Sequence, residues 1–570
     1  MNLLRNIKSK NSRGRDITMY LLTVGTAILI ALIASMFSFR IDLTSDRRFT
    51  LSDPTKNILS AIQNDIYIQV YLDGDMPVEF KRLRRNLRDM LEEFRIASGK
   101  KIGYTFINPS APEDEMERDR RRVELINRGI DPVSIMDRDR EGGNIERILF
   151  PGFIVNYNNI SIPVNFLRND PGRSSGENLI SSVEGLEYEL IRAVATVTAD
   201  TVYRVAFIEG HGEHDETEVA DITLELAKYF TIDRGAIGGV PGALDRYAAI
   251  IIAGADQAFG EDDKLVIDQY LMNGGRILWL IDEVYVNRDS LTSGGSMALY
   301  NPLNIEDQLF KYGVRINPEI VQDMDCLIIP VRNTITESQQ NYIPVPWIYY
   351  PLLYPSAESP VTRNINKVKG EFVNSLDTVG GDAAVRKEFL LASSPYSRTV
   401  TPPRIIALSE YRNPPPEELF NRSFIPVAVK MEGNFPSLFA GRRREYNGDP
   451  LVERSRYSRM VVVADGDIIR NEVSWSGGVP DPLPLGYDRY SRQTFGNKDF
   501  IINVMNWLVD DTGITGLRSR EVKLRLLDSG RIRGNRLFWQ LLNIAAPLLI
   551  LAAVAVTVIF VRRKRYGRIS

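Results

Sequence analysis

The chain has two histidines, and both stand in FIEGHGEHDE (207–216), where His211 and His214 share a loop with Glu213, Asp215 and Glu216. The loop follows the apolar run VAFI, so it lies where a buried strand ends. In open parallel sheets ligands bind outside the carboxyl ends of the strands. Other acids hold the equivalent place in the sequence: Asp256 after AAIIIA, Asp282 and Glu283 after RILWLI, and Asp465 and Asp467 after VVVA. Two imidazoles with a carboxylate suffice for zinc or another divalent ion. His211, Glu213, His214, Asp256 and Asp282 are therefore the candidate ligand or partner contacts at that edge. The competing reading, and the favoured one, makes each acid a cap on the helix or turn after its strand. It leaves the imidazoles as hydrogen-bonding loop residues. On it the chain holds no catalytic residue, no metal and no cofactor.

Other chemistry is easier to dismiss. Gly172-Arg173-Ser174-Ser175-Gly176 spells G-x-S-x-G, but NDPGRSSGEN reads as a polar linker rather than a sharp strand-to-helix elbow. No G-x-x-x-x-G-K-[ST] occurs, so the chain has no phosphate-cradling loop of that type. The single cysteine, Cys326, excludes an internal disulfide and reads as a small core residue. Lys+Arg and Asp+Glu nearly balance, 70 against 73, and no domain carries the basic excess of a nucleic-acid binder.

The elements that position these residues begin and end with apolar runs. Ile17 to Phe39 and Leu537 to Val561 carry no charge over about 23 and 25 residues, enough to cross a bilayer. Basic tails (1–16 and 562–570) flank them, which predicts two membrane spans, both termini cytoplasmic and the bulk of the chain exported. Residues 521–536 form a basic stalk. A chain of 570 residues implies more than one domain between the spans. Residues 40–200 predict strand–helix–strand–helix–hairpin–helix: IYIQVYL, VEFKRLRRNLRDMLEEF, KIGYTFI, a charged helix stopped at Gly129, FIVNYNNISIPV, and VEGLEYELIRAVATVT. That order is thioredoxin-like, with Pro151 at the position of a cis proline and without redox cysteines. Residues 201–520 alternate buried strands with helices, predicting an α/β domain with a parallel sheet. IPVPWIYYPLLYPSAESP (343–360) reads as an ordered insertion, near 330–385, too irregular for regular structure.

Several stretches together resemble a known family: DLTSDRRFTLSDPTK after the first apolar run, YLDGDMPVEFKRLRR, the EGHGE loop, IIIAGADQAF, DQYLMNGGRILWLID, PWIYYPLLYP, MEGNFPSLFAGR and GNKDFIINVMNWL. The chain is similar to the auxiliary or substrate-binding component of ABC transporters associated with bacterial gliding motility (the Gld system, G component). The resemblance implies a periplasmic body held by two inner-membrane spans. Its partners would be a permease and a separate ATPase, with a homodimer in the complex as one arrangement. The second domain also resembles class I glutamine-amidotransferase-like, flavodoxin-like domains, but lacks the cysteine at a strand-to-helix elbow. A non-enzymatic accessory subunit is the expected function. The alternatives are an exported hydrolase or metal-dependent enzyme at the sheet edge, and an envelope scaffold of the motility machinery.

Overall fold

The computed structural model describes residues 18–29, 50–112, 114–138, 144–168, 174–199, 202–292, 294–336, 339–380, 384–443, 445–476, 478–519 and 536–566. The elements used below are helices α1 (Thr18–Leu29), α2 (Asp53–Ala61), α3 (Val78–Ala97), α4 (Glu115–Asn127) and α5 (Ser175–Thr198). They are joined by α6 (Ala220–Leu226), α7 (Glu261–Met272), α8 (Asn497–Val509) and α9 (Arg536–Tyr566). The first strands are β1 (Ile66–Val70), β2 (Ile102–Phe106), β3 (Val133–Arg138), β4 (Asn144–Leu149), β5 (Gly152–Tyr157) and β6 (Ile160–Asn165). Then come β7 (Arg204–Glu209), β8 (Thr231–Ala236), β9 (Ala249–Ala253) and β10 (Ile277–Leu280). The last are β11 (Cys326–Thr336), β12 (Gln339–Pro355), β13 (Val385–Ala392), β14 (Pro426–Gly433) and β15 (Ser458–Val463).

The first sheet has the order β2-β1-β5-β6, with β1 parallel to β2 and antiparallel to β5. Phe80, Leu83, Leu87, Leu91 and Phe94 recur at helical spacing on α3 and are all buried. The closing helix starts earlier than its apolar pattern predicts. Ser174 caps α5 through the Glu177 amide, and Glu177 returns a bond from the Ser174 N–H, so the supposed linker GRSSG ends inside a capping box. Ser52 and Thr55, at the start of α2, both donate to the buried Glu187 carboxylate at 2.8 Å and fasten α2 to α5. The β3–β4 hairpin was not expected from the pattern. The cis peptide found among the described residues is Pro402–Pro403, so Pro151 does not adopt the expected cis form.

The second sheet has ten strands, nine of them in the order β11-β12-β13-β14-β15-β10-β9-β7-β8. The expected parallel arrangement holds for β8-β7-β9-β10-β15. From β15 outward to β11 the pairing is antiparallel, so the sheet is mixed. Antiparallel neighbours need no crossover helix, which is why this half shows none of the strand–helix alternation of the first. The stretch 343–360 corrects a second expectation: much of it is the long strand β12. Pro344 pairs with Pro330 of β11 in register, a place in an antiparallel ladder where neither residue has to donate.

Both faces of the parallel half are covered. Ile250 and Ile252 join Trp279 and Val462 against α7, while Ile251 faces the other way with Leu278, Leu280 and Val461 against α8. Buried residues of α5 belong to that second cluster, so one continuous core links the two sheets. Cys326 opens β11 and is partly buried rather than a core residue; burial pushes its thiol up to about 12. Among the described residues one helical segment, Phe538–Val561 in α9, is long and apolar enough to cross a membrane. Of the other expected span only α1 is described, and the rest, like the basic stalk, lies outside the described residues.

Ile251 is fully buried at the centre of the parallel half. Ile251→Ala should therefore destabilise the protein by about 2–5 kcal/mol. Denaturant unfolding should show a lower midpoint with an unchanged slope.

Candidate functional site

Four strand ends meet at the carboxyl edge of the parallel half. The His214 N–H donates to the Ala253 carbonyl at 3.1 Å, and the Asp256 and Gln257 N–H groups donate to the His211 carbonyl at 3.0 and 2.9 Å. Glycine makes this approach feasible. At Gly254 (φ +67°) a Cβ would lie 2.4 Å from His214 Nε2, and at Gly212 (φ +76°) 1.6 Å from Asp256 Oδ1. The strand order places these loops at the switch point, where β7 is flanked by β8 on one side and β9 on the other. A cleft of about 430 Å³ opens there, lined among others by Glu213, His214, Asp256, Asp282, Arg288 and Arg470.

The two imidazoles have separate surroundings. His211 is buried, stacked on the Phe259 ring at 3.8 Å, and lies outside the cleft lining. Its Nδ1 is 3.1 Å from Glu213 and its Nε2 is 3.0 Å from Asp263. Burial disfavours the imidazolium, but the hydrogen bonds and charges of Glu213 and Asp263 outweigh it and raise the pKa. His214 lines the cleft, donates from Nε2 to the Gly466 carbonyl at 2.9 Å, and sets Nδ1 3.4 Å from Glu218. The imidazole beside Glu218 is the main reason its carboxyl is lowered to about 2. Of the five candidate residues, Glu213, His214, Asp256 and Asp282 share the cleft and His211 does not. Among the described residues no group of three His, Cys, Asp or Glu side chains is placed to hold a metal ion.

The cleft floor is a charge network. Asp465 is fully buried and accepts the Glu371 and Asp467 N–H groups at 3.0 and 2.8 Å. Asp282 accepts the Gly466 N–H at 3.0 Å. Burial and mutual repulsion push the Asp282 carboxyl upward; burial, with Glu371 nearby, does the same to Asp465. Around them Arg288 pairs with Glu371 at 3.1 Å and also with Asp467. Arg470 bridges Asp467 and Glu371 at 3.1 and 3.3 Å, and Lys369 reaches Glu371 at 3.2 Å. Burial opposes the Glu371 charge, yet Arg288, Lys369 and Arg470 hold its carboxyl well below the usual range. Glu283 turns aside from the cleft, and burial, with Glu306 nearby, pushes it up to about 8.

Arg288, Glu371 and Arg470 were not among the sequence candidates. The two arginines do follow strand ends β10 and β15, a usable signal. Glu371 reaches the edge from the antiparallel half and left none.

Residues 203–504, more than half of the chain, match a family described as an ABC-type uncharacterized transport system. The chain belongs to this ABC-transporter auxiliary family. Residues 45–156 match a domain of unknown function, DUF7088. An uncharacterized protein of Borreliella burgdorferi is 22% identical over 551 residues, covering 91% of each chain. Among solved structures, the mmIFT52 N-terminal domain aligns with 54% of this chain and 98% of its own at 14% identity and a TM-score of 0.31. The exo-beta-1,4-mannosidase Op5Man5 from Opitutaceae bacterium strain TAV5 aligns with 70% of this chain and 47% of its own at 11% identity and a TM-score of 0.20. Neither structural likeness is strong enough to support a functional argument. The family supports an accessory role in a transport system, and α9 supports membrane association.

The buried groups fix a pH dependence. Raised pKa values at His211, Asp282 and Asp465 mean stability that is complete below their unfolded values and lost as pH rises through the folded ones. The lowered Glu218 acts at the opposite end, losing its contribution as pH falls toward about 2. Thermal melts should show stability declining from about pH 4 to about pH 7 as the two aspartates ionise, with His211 adding to the decline above its ordinary value, and Asp282→Asn should flatten the acidic part of that decline.

Proposed function

We propose that this chain is a non-catalytic, membrane-anchored accessory subunit of an ABC transporter, with its body outside the cytoplasmic membrane and both termini inside. The family match over residues 203–504 carries this reading, with the apolar Phe538–Val561 helix beside it. The absence of a phosphate-cradling G-x-x-x-x-G-K-[ST] motif fits a subunit that leaves ATP hydrolysis to a separate ATPase and translocation to a permease. The order β2-β1-β5-β6 supports a thioredoxin-like scaffold stripped of redox chemistry. The order β8-β7-β9-β10-β15 supports an amidotransferase-like, flavodoxin-like sheet whose switch-point cleft is the substrate-facing surface. A role in gliding motility is the narrowest part of the proposal and rests on the Gld-like sequence motifs.

Tagged full-length chain, drawn from membranes in mild detergent, should bring down one permease and one ABC ATPase. Repeated isolation without either would sink the transporter reading and favour an envelope scaffold. Reporter fusions at Gly14 and Gly380 test the topology: the first should be active inside, the second outside. A Gly380 reporter active only in the cytoplasm would reverse it.

A further inference from the structure

A second cavity, of about 580 Å³, lies between the two sheet-bearing parts and shares no lining residue with the cleft at the strand edge. Its walls are mostly apolar and include Ile58 and Ile62 near α2, Ala195 on α5, Phe230, Val509 and Ile514. Cavities of roughly 300–1,000 Å³ with apolar walls and a few placed polar groups are the usual form of a small-molecule site. The decisive polar group here is Tyr229. The residue is nine-tenths buried and lines the cavity. Among the described residues, its hydroxyl has no hydrogen-bond partner. The Arg192 guanidinium covers the ring face 4.5 Å from its centroid and is itself engaged by Glu189 at 2.9 Å, so it fixes the ring without satisfying the hydroxyl. The hydroxyl opens into the cavity, where a bound acceptor can take its hydrogen bond. One wall is formed by Ile514 and Thr515 of the turn Ile514–Ser519.

We propose that this cavity binds a single acyl chain of an amphiphile. The chain lies along the α2–α5 wall, and a carbonyl or carboxyl head accepts a hydrogen bond from the Tyr229 hydroxyl. The apolar part of the wall takes the chain, and the Tyr229 hydroxyl takes the head. A free fatty acid and the acyl chain of a membrane phospholipid share this chemistry. Binding here is independent of whether the chain joins a transporter.

The test uses the full-length protein in lipid nanodiscs with two photoreactive probes. One is a photoreactive palmitic acid; the other is a phosphatidylethanolamine carrying the same photoreactive chain. After irradiation, peptide mapping should place label on α2, on α5 around Ala195, or on Val509–Ile514, with at least one probe; the probe that labels identifies the source. Ala195→Trp fills the cavity and should remove most of that label. Tyr229→Phe keeps the shape and should weaken competition by unlabelled palmitic acid roughly fivefold, which decides the matter if Ala195→Trp does not fold. Label confined to Phe538–Val561 with both probes, or wild-type labelling and competition in both variants, would overturn the proposal.

Discussion

The buried carboxylate of Asp465 is the constraint on which the carboxyl edge depends. It is removed from solvent and held by two backbone N–H groups, one from Glu371 and one from Asp467. These bonds join the last parallel strand, β15, to a segment that arrives from the antiparallel half. A buried acid is tolerated when it is hydrogen-bonded or neutralised. Here both remedies act, because amides point at Asp465 while Arg288, Arg470 and Lys369 surround the neighbouring Glu371. Loops that would otherwise be independent are thereby fixed as one surface.

The same network ties up the polar side chains of this edge. The imidazoles and arginines there are already matched to oxygens: His211 to Glu213 and Asp263, His214 to Gly466, and Arg470 to Asp467 and Glu371. Charged groups satisfied by one another give a rigid, polar cleft wall.

The connection between the two sheets is as much apolar as ionic. Arg168 pairs with Glu189 of α5 at 2.9 Å and with Asp499 of α8 at 3.2 Å, while Arg518 lies over Tyr188 at 4.9 Å. These contacts sit on a core that runs without a break from α5 to the inner face of the second sheet. The cavity beside Tyr229 is a gap along this same seam.

The sequence by itself determined the local elements with strong periodicity: α3, α7, α8, the runs that became β7, β9, β10 and β15, and the apolar segment in α9. Side-chain burial at period 3.6 or along a continuous run depends on near neighbours, so it is written locally. It also placed Glu213, His214, Asp256 and Asp282 at one sheet edge, and these four share one cleft. Tertiary structure alone decided that His211 turns away to stack on Phe259, that Glu371 enters the cleft floor, and that the proline-rich stretch becomes β12. Each of these turns on a partner far along the chain: Asp263 for His211, Arg470 for Glu371, and β11 for the prolines. Pairings of that kind leave no periodic mark on the sequence, because they follow from how separate elements pack.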